Sequence, residues 1–417
     1  MLTILRQRNY GMLWFGGLIS IMGDWALNVA LPFYVYQMTG SALATGLMFM
    51  ARTLPGVLLG SVAGVFVDRW DRKRTMVLVN GLAALLVLLL LIVKSAAWLW
   101  LVYTVALIEA AMMQFFVPAE KALLPRLVED KQLATANSLS AVNANLGMLV
   151  GPAIGGALMA GTSLTSVVLF DSASYLAAAV MIFLISWSPE GASKKPETAS
   201  LLNSWLGVWC DWLDGLRLVR HRRLIAAIFA AAATAMLGEG IIQALLVLFV
   251  KLLKGGALEF GWLLTLRGLG GILGGLIFGR IAAVIQPHRV FPWTLTGMGL
   301  FLLLMFNLPV FVLALIILCL AGILAIGASV TSTTMLQNGV PDAYLGRIFG
   351  AFSMTAALMT LVGQGSASAL ADRFGVVGML NLAAGLYLVS GLIPLVLFTG
   401  FSSIKKSSHS SSRGKTS

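Results

Sequence analysis

Charge is scarce in this chain. Asp, Glu, Lys and Arg make up 11% of its 417 residues, well below the share in a soluble globular protein. Cysteine is scarcer still: Cys210 and Cys319 cannot build a disulfide framework, and both are expected to be inert thiols. The three histidines, His221, His288 and His409, fall in loops or the tail, with no HExxH helix and no cluster of metal ligands. The C-terminal GKT lacks the glycine five residues before Gly414 that a phosphate-binding loop needs. No metal or other cofactor is therefore expected, and nothing points to an enzyme. Alternation with period two is also missing, which argues against a transmembrane β-barrel. The opening MLTILRQRNYGMLWF is basic and apolar but runs into a full-length apolar stretch without a small-residue cleavage site. The first hydrophobic segment is thus expected to stay in the protein.

What is present is hydrophobic sequence, 59% of all residues, with a mean hydropathy of +0.94. It divides into twelve apolar stretches near 10–36, 43–67, 75–93, 97–117, 138–160, 165–187, 224–250, 256–280, 290–308, 309–336, 345–370 and 375–400. Each is close to the ~20 residues that a helix needs to cross ~30 Å of hydrocarbon. Only Asn307 and Pro309 separate the ninth from the tenth. The fold class read from this pattern is an all-α polytopic membrane protein with twelve transmembrane helices. Its net charge of +12 would suggest nucleic acid in a soluble protein, but the distribution argues otherwise. Of 28 Lys and Arg, 22 fall on the side of the two termini, 4 on the opposite side (Lys94, Lys251, Lys254, Arg373) and 2 inside spans (Arg52, Arg267). The positive-inside rule then places both termini in the cytoplasm, with the chain in the cell's inner membrane.

The organisation is duplicated. Residues 1–187 form a first six-helix half and 224–400 a second. Between them, 188–223 is a cytoplasmic linker in which Trp205, Trp209, Trp212, Leu213 and Leu216 recur at helical spacing, as in an amphipathic helix lying on the interface. Residues 401–417 read as a disordered cytoplasmic tail drawn to anionic lipid. At an offset of 215, Asp24 aligns with Glu239, Arg52 with Arg267, and Gly46, Gly56, Gly60 and Gly64 with Gly261, Gly271, Gly275 and Gly279. Chance is an inadequate explanation for matched intramembrane charges plus four glycines. Two parallel six-helix repeats with a site at their mid-membrane interface are the expected build of a rocker-type secondary transporter.

Two stretches carry a family resemblance. GVFVDRWDRKR, from Gly64 through Asp68, Arg69, Arg72 and Lys73 to Arg74, resembles the loop 2–3 signature of the major facilitator superfamily, G-x-x-x-D-R-x-G-R-R, and departs from it at Asp71. GMLVGPAIGG, with Gly147, Gly151, Pro152, Gly155 and Gly156, resembles the motif that marks exporters in that superfamily. GDWALNVALPFYVYQMTGS and FFVPAEKALLPRLVEDKQLATANSL are similar to the drug and siderophore exporter branch, which includes macrolide and enterobactin efflux proteins. The resemblance implies that Asp68 takes part in a contact closing the cytoplasmic gate. Its partner at the 215 offset is Ala283, so the second-half copy of that latch is degenerate. Physically, Gly64 would permit close helix approach. Pro152 would interrupt or bend the fifth helix.

A charge in hydrocarbon costs at least ~2.5–3.5 kcal/mol, so intramembrane charges are the leading site candidates. Asp24 and Arg52 lie at similar depth and are expected to pair, as are Glu239 and Arg267. Asp24 and Glu239 are the candidates for proton coupling, with Glu109 as a third, whereas Asp171 reads as a structural helix-end acid. The basic residue that proton-coupled exporters often carry in the fourth helix is missing. Trp25, Phe115, Gln243 and Gln337, with Trp14, Phe33, Tyr34, Phe116, Trp262 and Gln364, are candidates for a roomy substrate cavity. The leading functional expectation is proton-coupled export of amphipathic small molecules such as drugs, antibiotics or siderophores, by a monomer in contact with membrane lipids. A lipid or lysolipid flippase and a non-transporting receptor or assembly factor on the same fold are the alternatives.

Overall fold

The computed structural model describes residues 2–60, 63–67, 69–186, 212, 213, 217, 219, 222–281 and 286–411. Among them are twelve helices long and apolar enough to cross a membrane. These are α1 (Arg8–Thr39), α2 (Ala42–Leu59), α3 (Arg72–Ile92), α4 (Ala96–Arg126), α5 (Asp130–Gly161) and α6 (Leu164–Phe183) in the first half. The second half holds α7 (Arg223–Leu252), α8 (Ala257–Arg280), α9 (Pro287–Asn307), α10 (Phe311–Gly339), α11 (Tyr344–Phe374) and α12 (Val376–Leu397). No strand occurs among the described residues.

Local chemistry sets several boundaries. The turn from α1 to α2 takes only two residues, because Gly40 adopts the left-handed conformation (φ 63°) and its N–H donates to the Tyr36 carbonyl. Ser41 then caps α2 by accepting from the Ala44 N–H. The second span is helical to Leu59, with the Gly60 N–H still donating to the Gly56 carbonyl; residues 61 and 62 lie outside the described residues, and helix covers Ala63–Val67 beyond them. Glycines at 56, 60 and 64 give that end little intrinsic helix preference. The fifth span starts earlier, at Asp130 rather than near 138, and within it Ser138 and Asn145 donate to the carbonyls of Ala134 and Ala141. It also runs unbroken through Pro152, where the sequence suggests an interruption. Asp71, the departure from the signature, caps α3 by accepting from the Arg74 N–H at 2.8 Å.

The packing repeats as the sequence does. α1 packs on α5 and α6, α2 on α4, and α3 on α4 and α6. In the second half α7 packs on α11 and α12, α8 on α10, and α9 on α10 and α12, the same pairings six helices on. The halves meet chiefly through α2 on α11 and α5 on α8, which are themselves equivalent pairs.

Those inter-half contacts lie toward the side away from the termini. A Cβ on Gly156 would stand 2.8 Å from the Ala257 carbonyl oxygen and 3.3 Å from the Gly261 Cα, so only glycine allows α5 and α8 this close. Gly46 of α2 likewise abuts Ser368 of α11. At the terminus-side ends the reverse holds: Gly64, Gly275, Gly279, Gly346 and Gly350 have no described atom within 4 Å of a Cβ position. The close glycine contacts between the halves thus lie on the far side, while these glycines near the termini have no neighbour among the described residues.

Most of the linker 188–223 lies outside the described residues, as do Asp68, Ala283 and residues 412–417. Trp212 is described, and its indole N–H donates to Thr355 Oγ1 of α11 at 3.2 Å. The last helix runs as backbone to Ser411, into the stretch expected to be disordered. No proline or glycine stands between Gly400 and Ser411 to stop it.

Candidate functional site

Between the halves lies a cavity of about 300 Å³. Its wall takes Trp25 and Asn28 from α1, Phe49, Arg52 and Thr53 from α2, Met148 from α5, Glu239 and Gln243 from α7, and Phe260 and Arg267 from α8. Matched positions of the repeat thus face one another across the seam. Behind it, a second space of about 250 Å³ inside the second half reaches the same Glu239 and Arg267 and is walled by Met236, Phe291, Met298, Phe352 and Tyr387 among others.

The second-half charges are paired and balanced. Arg267 donates to Glu239 Oε1 at 2.6 Å, Tyr387 donates to Oε2 at 2.8 Å, and Gln243 donates to Oε1 at 3.3 Å. The chain of amides continues across the seam: Gln364 of α11 donates to Gln243 Oε1 at 3.1 Å and to Thr53 Oγ1 of α2 at 3.0 Å. Gln364 is fully buried, and its own carbonyl oxygen has no hydrogen-bond partner.

The first half differs from its repeat. Arg52 reaches Glu109 of α4 at 3.4 Å, not Asp24 as depth alone predicts. Asp24 is joined to that pair through Tyr175 of α6, whose hydroxyl contacts both Asp24 and Glu109, the latter at 3.0 Å. The reason is angular: Asp24 faces α6, where Asp171 and Ser174 crowd against the adjacent Gly23, while α4 presents Glu109 to α2. Asp171 is not an isolated helix-end acid. Its carboxylate lies within 4.8 Å of those of Asp24 and Glu109, it is fully buried, and its Oδ2 has no hydrogen-bond partner. Three carboxyl groups therefore gather around one arginine, where the second half sets one against one. At the 215 offset Glu109 and Asp171 correspond to Leu324 and Leu386, so this asymmetry is written in the sequence.

The glycine set of α5 resolves into two adjacent stripes. Gly147, Gly151 and Gly155 face Ile21, Met22, Trp25 and Ala26 of α1, while Pro152 and Gly156 face α8. Of the gating stretch, Lys73 Nζ donates to the Ile185 carbonyl at 2.7 Å and lies 5.5 Å over the Phe183 ring. Arg69 is exposed and Arg72 partly so, both with interactions of their own, and Arg74 supplies the capped N–H of α3. Among the cavity candidates, Trp25 and Gln243 line the seam. Phe115 does not: it stacks on Trp70 at 5.7 Å near the terminus-side end. Gln337 is exposed near the same end of α10, Trp14 is buried and bonded to the Leu139 carbonyl, and Trp262 is exposed. Sequence reasoning missed Tyr175 and Tyr387. The available signal was a tyrosine at similar depth in both the sixth and the twelfth spans.

Twelve helices in two like-packed halves around a seam cavity define a multi-pass membrane transporter. The model of the Major Facilitator Superfamily matches residues 13–363 and 228–416, and the chain belongs to that family. It is 24% identical over 372 residues to macrolide efflux protein A of Streptococcus pyogenes, covering 87% of this chain and 89% of that one. To the enterobactin exporter EntS of Escherichia coli O1:K1 / APEC it is 27% identical over 392 residues, covering 91% and 89%. Among solved structures, the nucleoside transporter NupG superposes with a TM-score of 0.76 at 13% identity, over 93% of this chain and 98% of that one, a likeness of fold alone.

Proposed function

We propose that the protein is a secondary active exporter of amphipathic small molecules, of the drug, antibiotic or siderophore class, working by alternating access and proton antiport. The observation that carries this reading is the seam cavity, mixed apolar and polar, whose two arginines, Arg52 and Arg267, come from matched positions of the two halves. Export is favoured by the functions of the two relatives, macrolide efflux and enterobactin export. With the termini in the cytoplasm of an inner membrane, a structure clasped on the far side is an inward-facing state, ready to load from inside.

Proton coupling rests on the first-half cluster. Three carboxyl groups facing one guanidinium leave charge that protons can neutralise. The Tyr175 hydroxyl has one proton to donate and touches two carboxyl groups. If both contacts are hydrogen bonds, one of those groups carries a proton of its own. Asp24 is the carrier this favours, because Glu109 is held by Arg52. Glu239, the other sequence candidate, sits in a balanced pair and is the weaker one. The test is purified protein in liposomes with an imposed pH gradient, screened against cationic dyes, macrolides, catecholate siderophores and fluorescent lysolipids. Uphill movement of any of the first three that collapses with the gradient supports the reading. Gradient-independent movement of lysolipid alone would support a flippase instead.

A further inference from the structure

Two arginines, one from each half, face the seam cavity with most of their hydrogen-bonding capacity unused. Arg52 and Arg267 are 18% and 20% exposed, although both lie within spans. A guanidinium carries five N–H donors, and among the described residues each of the two arginines makes one hydrogen bond, Arg52 to Glu109 and Arg267 to Glu239. The acceptors on the wall are, by contrast, largely engaged. Glu239 is the only carboxylate lining the cavity among the described residues, and Arg267, Gln243 and Tyr387 already donate to it. The side-chain oxygens of Gln243 and Thr53 both accept from Gln364. Asp24, Glu109 and Asp171 do not line the cavity, and Glu109 is 1% exposed. What remains open to a ligand is therefore a pair of cationic donors and the one uncharged amide of Asn28, set among Trp25, Phe49 and Phe260.

We propose that this cavity binds an anionic, acceptor-rich headgroup of the carboxylate, sulfonate, phosphate or catecholate kind, bridged between Arg52 and Arg267, with the apolar body of the molecule against the aromatic wall. Planar N–H pairs of a guanidinium match the oxygens of such groups and bind them with charge-assisted hydrogen bonds. A cationic headgroup would meet two like charges and one acid whose lone pairs are mostly taken. Glu109 and Glu239 keep the arginines compensated while the cavity is empty, since an unpaired buried charge is strongly unfavourable. Because the two arginines come from different halves, a ligand holding both ties the halves together through the site. This inference deepens the export reading and rests on it for the direction of movement, not for binding.

The test uses the full-length protein in lipid nanodiscs and three probes with the same naphthalene body, ending in a sulfonate, a neutral amide or a trimethylammonium group. Binding is measured by equilibrium dialysis against empty nanodiscs. The sulfonate should bind saturably and at least about tenfold more tightly than either other probe, and Arg52→Gln or Arg267→Gln should each weaken it about tenfold, as loss of a charge-assisted hydrogen bond predicts. The ranking on the unaltered protein decides the matter even if a variant fails to fold. Tighter binding of the trimethylammonium probe, equal binding of all three, or folded variants that keep full sulfonate affinity would overturn the proposal. Liposome transport separates the two readings. Anion-selective binding without gradient-driven movement would sink export and leave the anion site standing, whereas pumping of the cationic probe alone would do the reverse.

Discussion

Gly156 of α5 and Gly261 of α8 meet face to face across the seam, so close that a Cβ on Gly156 would stand 3.3 Å from the Gly261 Cα. Since 156 and 261 belong to different halves, this contact is part of what clasps the far side shut. Gly156→Val should insert normally but wedge that side open and lower transport at least about tenfold. In a background without Cys210 and Cys319, a cysteine at Asn28, on the cavity wall, should then react faster with an impermeant thiol reagent added outside. An unchanged labelling rate would mean that the α5–α8 contact does not gate the cavity.

The 22 basic residues on the terminus side against 4 on the other predict cytoplasmic termini. In intact cells, a cysteine at Lys254 should label with an impermeant reagent and one at Lys73 should not. The opposite pattern would invert the molecule and turn its clasped side inward.

The two aspartates of the loop after α2 should separate on mutation. Asp71 caps α3, so Asp71→Ala should cost about 1 kcal/mol of stability and leave transport of the surviving protein near normal. Asp68→Asn, by the family resemblance, should insert normally, transport poorly and shift accessibility toward inward-facing states. Wild-type transport in Asp68→Asn would make that residue a topological anchor only.

The proposed proton coupling predicts different behaviour for the acids. Asp24→Asn should abolish gradient-driven uphill transport while retaining downhill exchange. Glu109→Gln leaves Arg52 without its partner, at a cost of ~3–5 kcal/mol, and should lower protein yield. Adding Arg52→Gln should restore folding but not coupling, and the restored yield is read by size-exclusion chromatography. If Asp24→Asn still concentrates substrate in a pH-dependent way, the acid of α1 is structural.

Tyr175 joins Asp24 to Glu109 and Tyr387 holds Glu239, so phenylalanine at either keeps shape and removes one hydroxyl. Tyr175→Phe should move the pH profile of transport. Tyr387→Phe should lose about 0.5–1.5 kcal/mol of stability with the profile in place. Equal profiles in both variants would remove the first-half cluster from the coupling path.

The sequence by itself determined the class of the protein. Twelve apolar runs of bilayer length leave few other folds, because backbone polar groups in lipid must be satisfied within helices. The 215-residue offset identified the repeat and placed one acid and one arginine at matched depth in each half. Spacing along one helix also held the α5 stripes, since residues four apart share a face. Only the tertiary structure decided partnership. Depth predicts that Arg52 meets Asp24, but whether two side chains touch depends on helix rotation and on which third helix intervenes, and here α4 supplies Glu109 to Arg52 while α6 turns Asp24 toward Tyr175 and Asp171. Those contacts join residues 57 to 151 positions apart, a separation that no local pattern encodes.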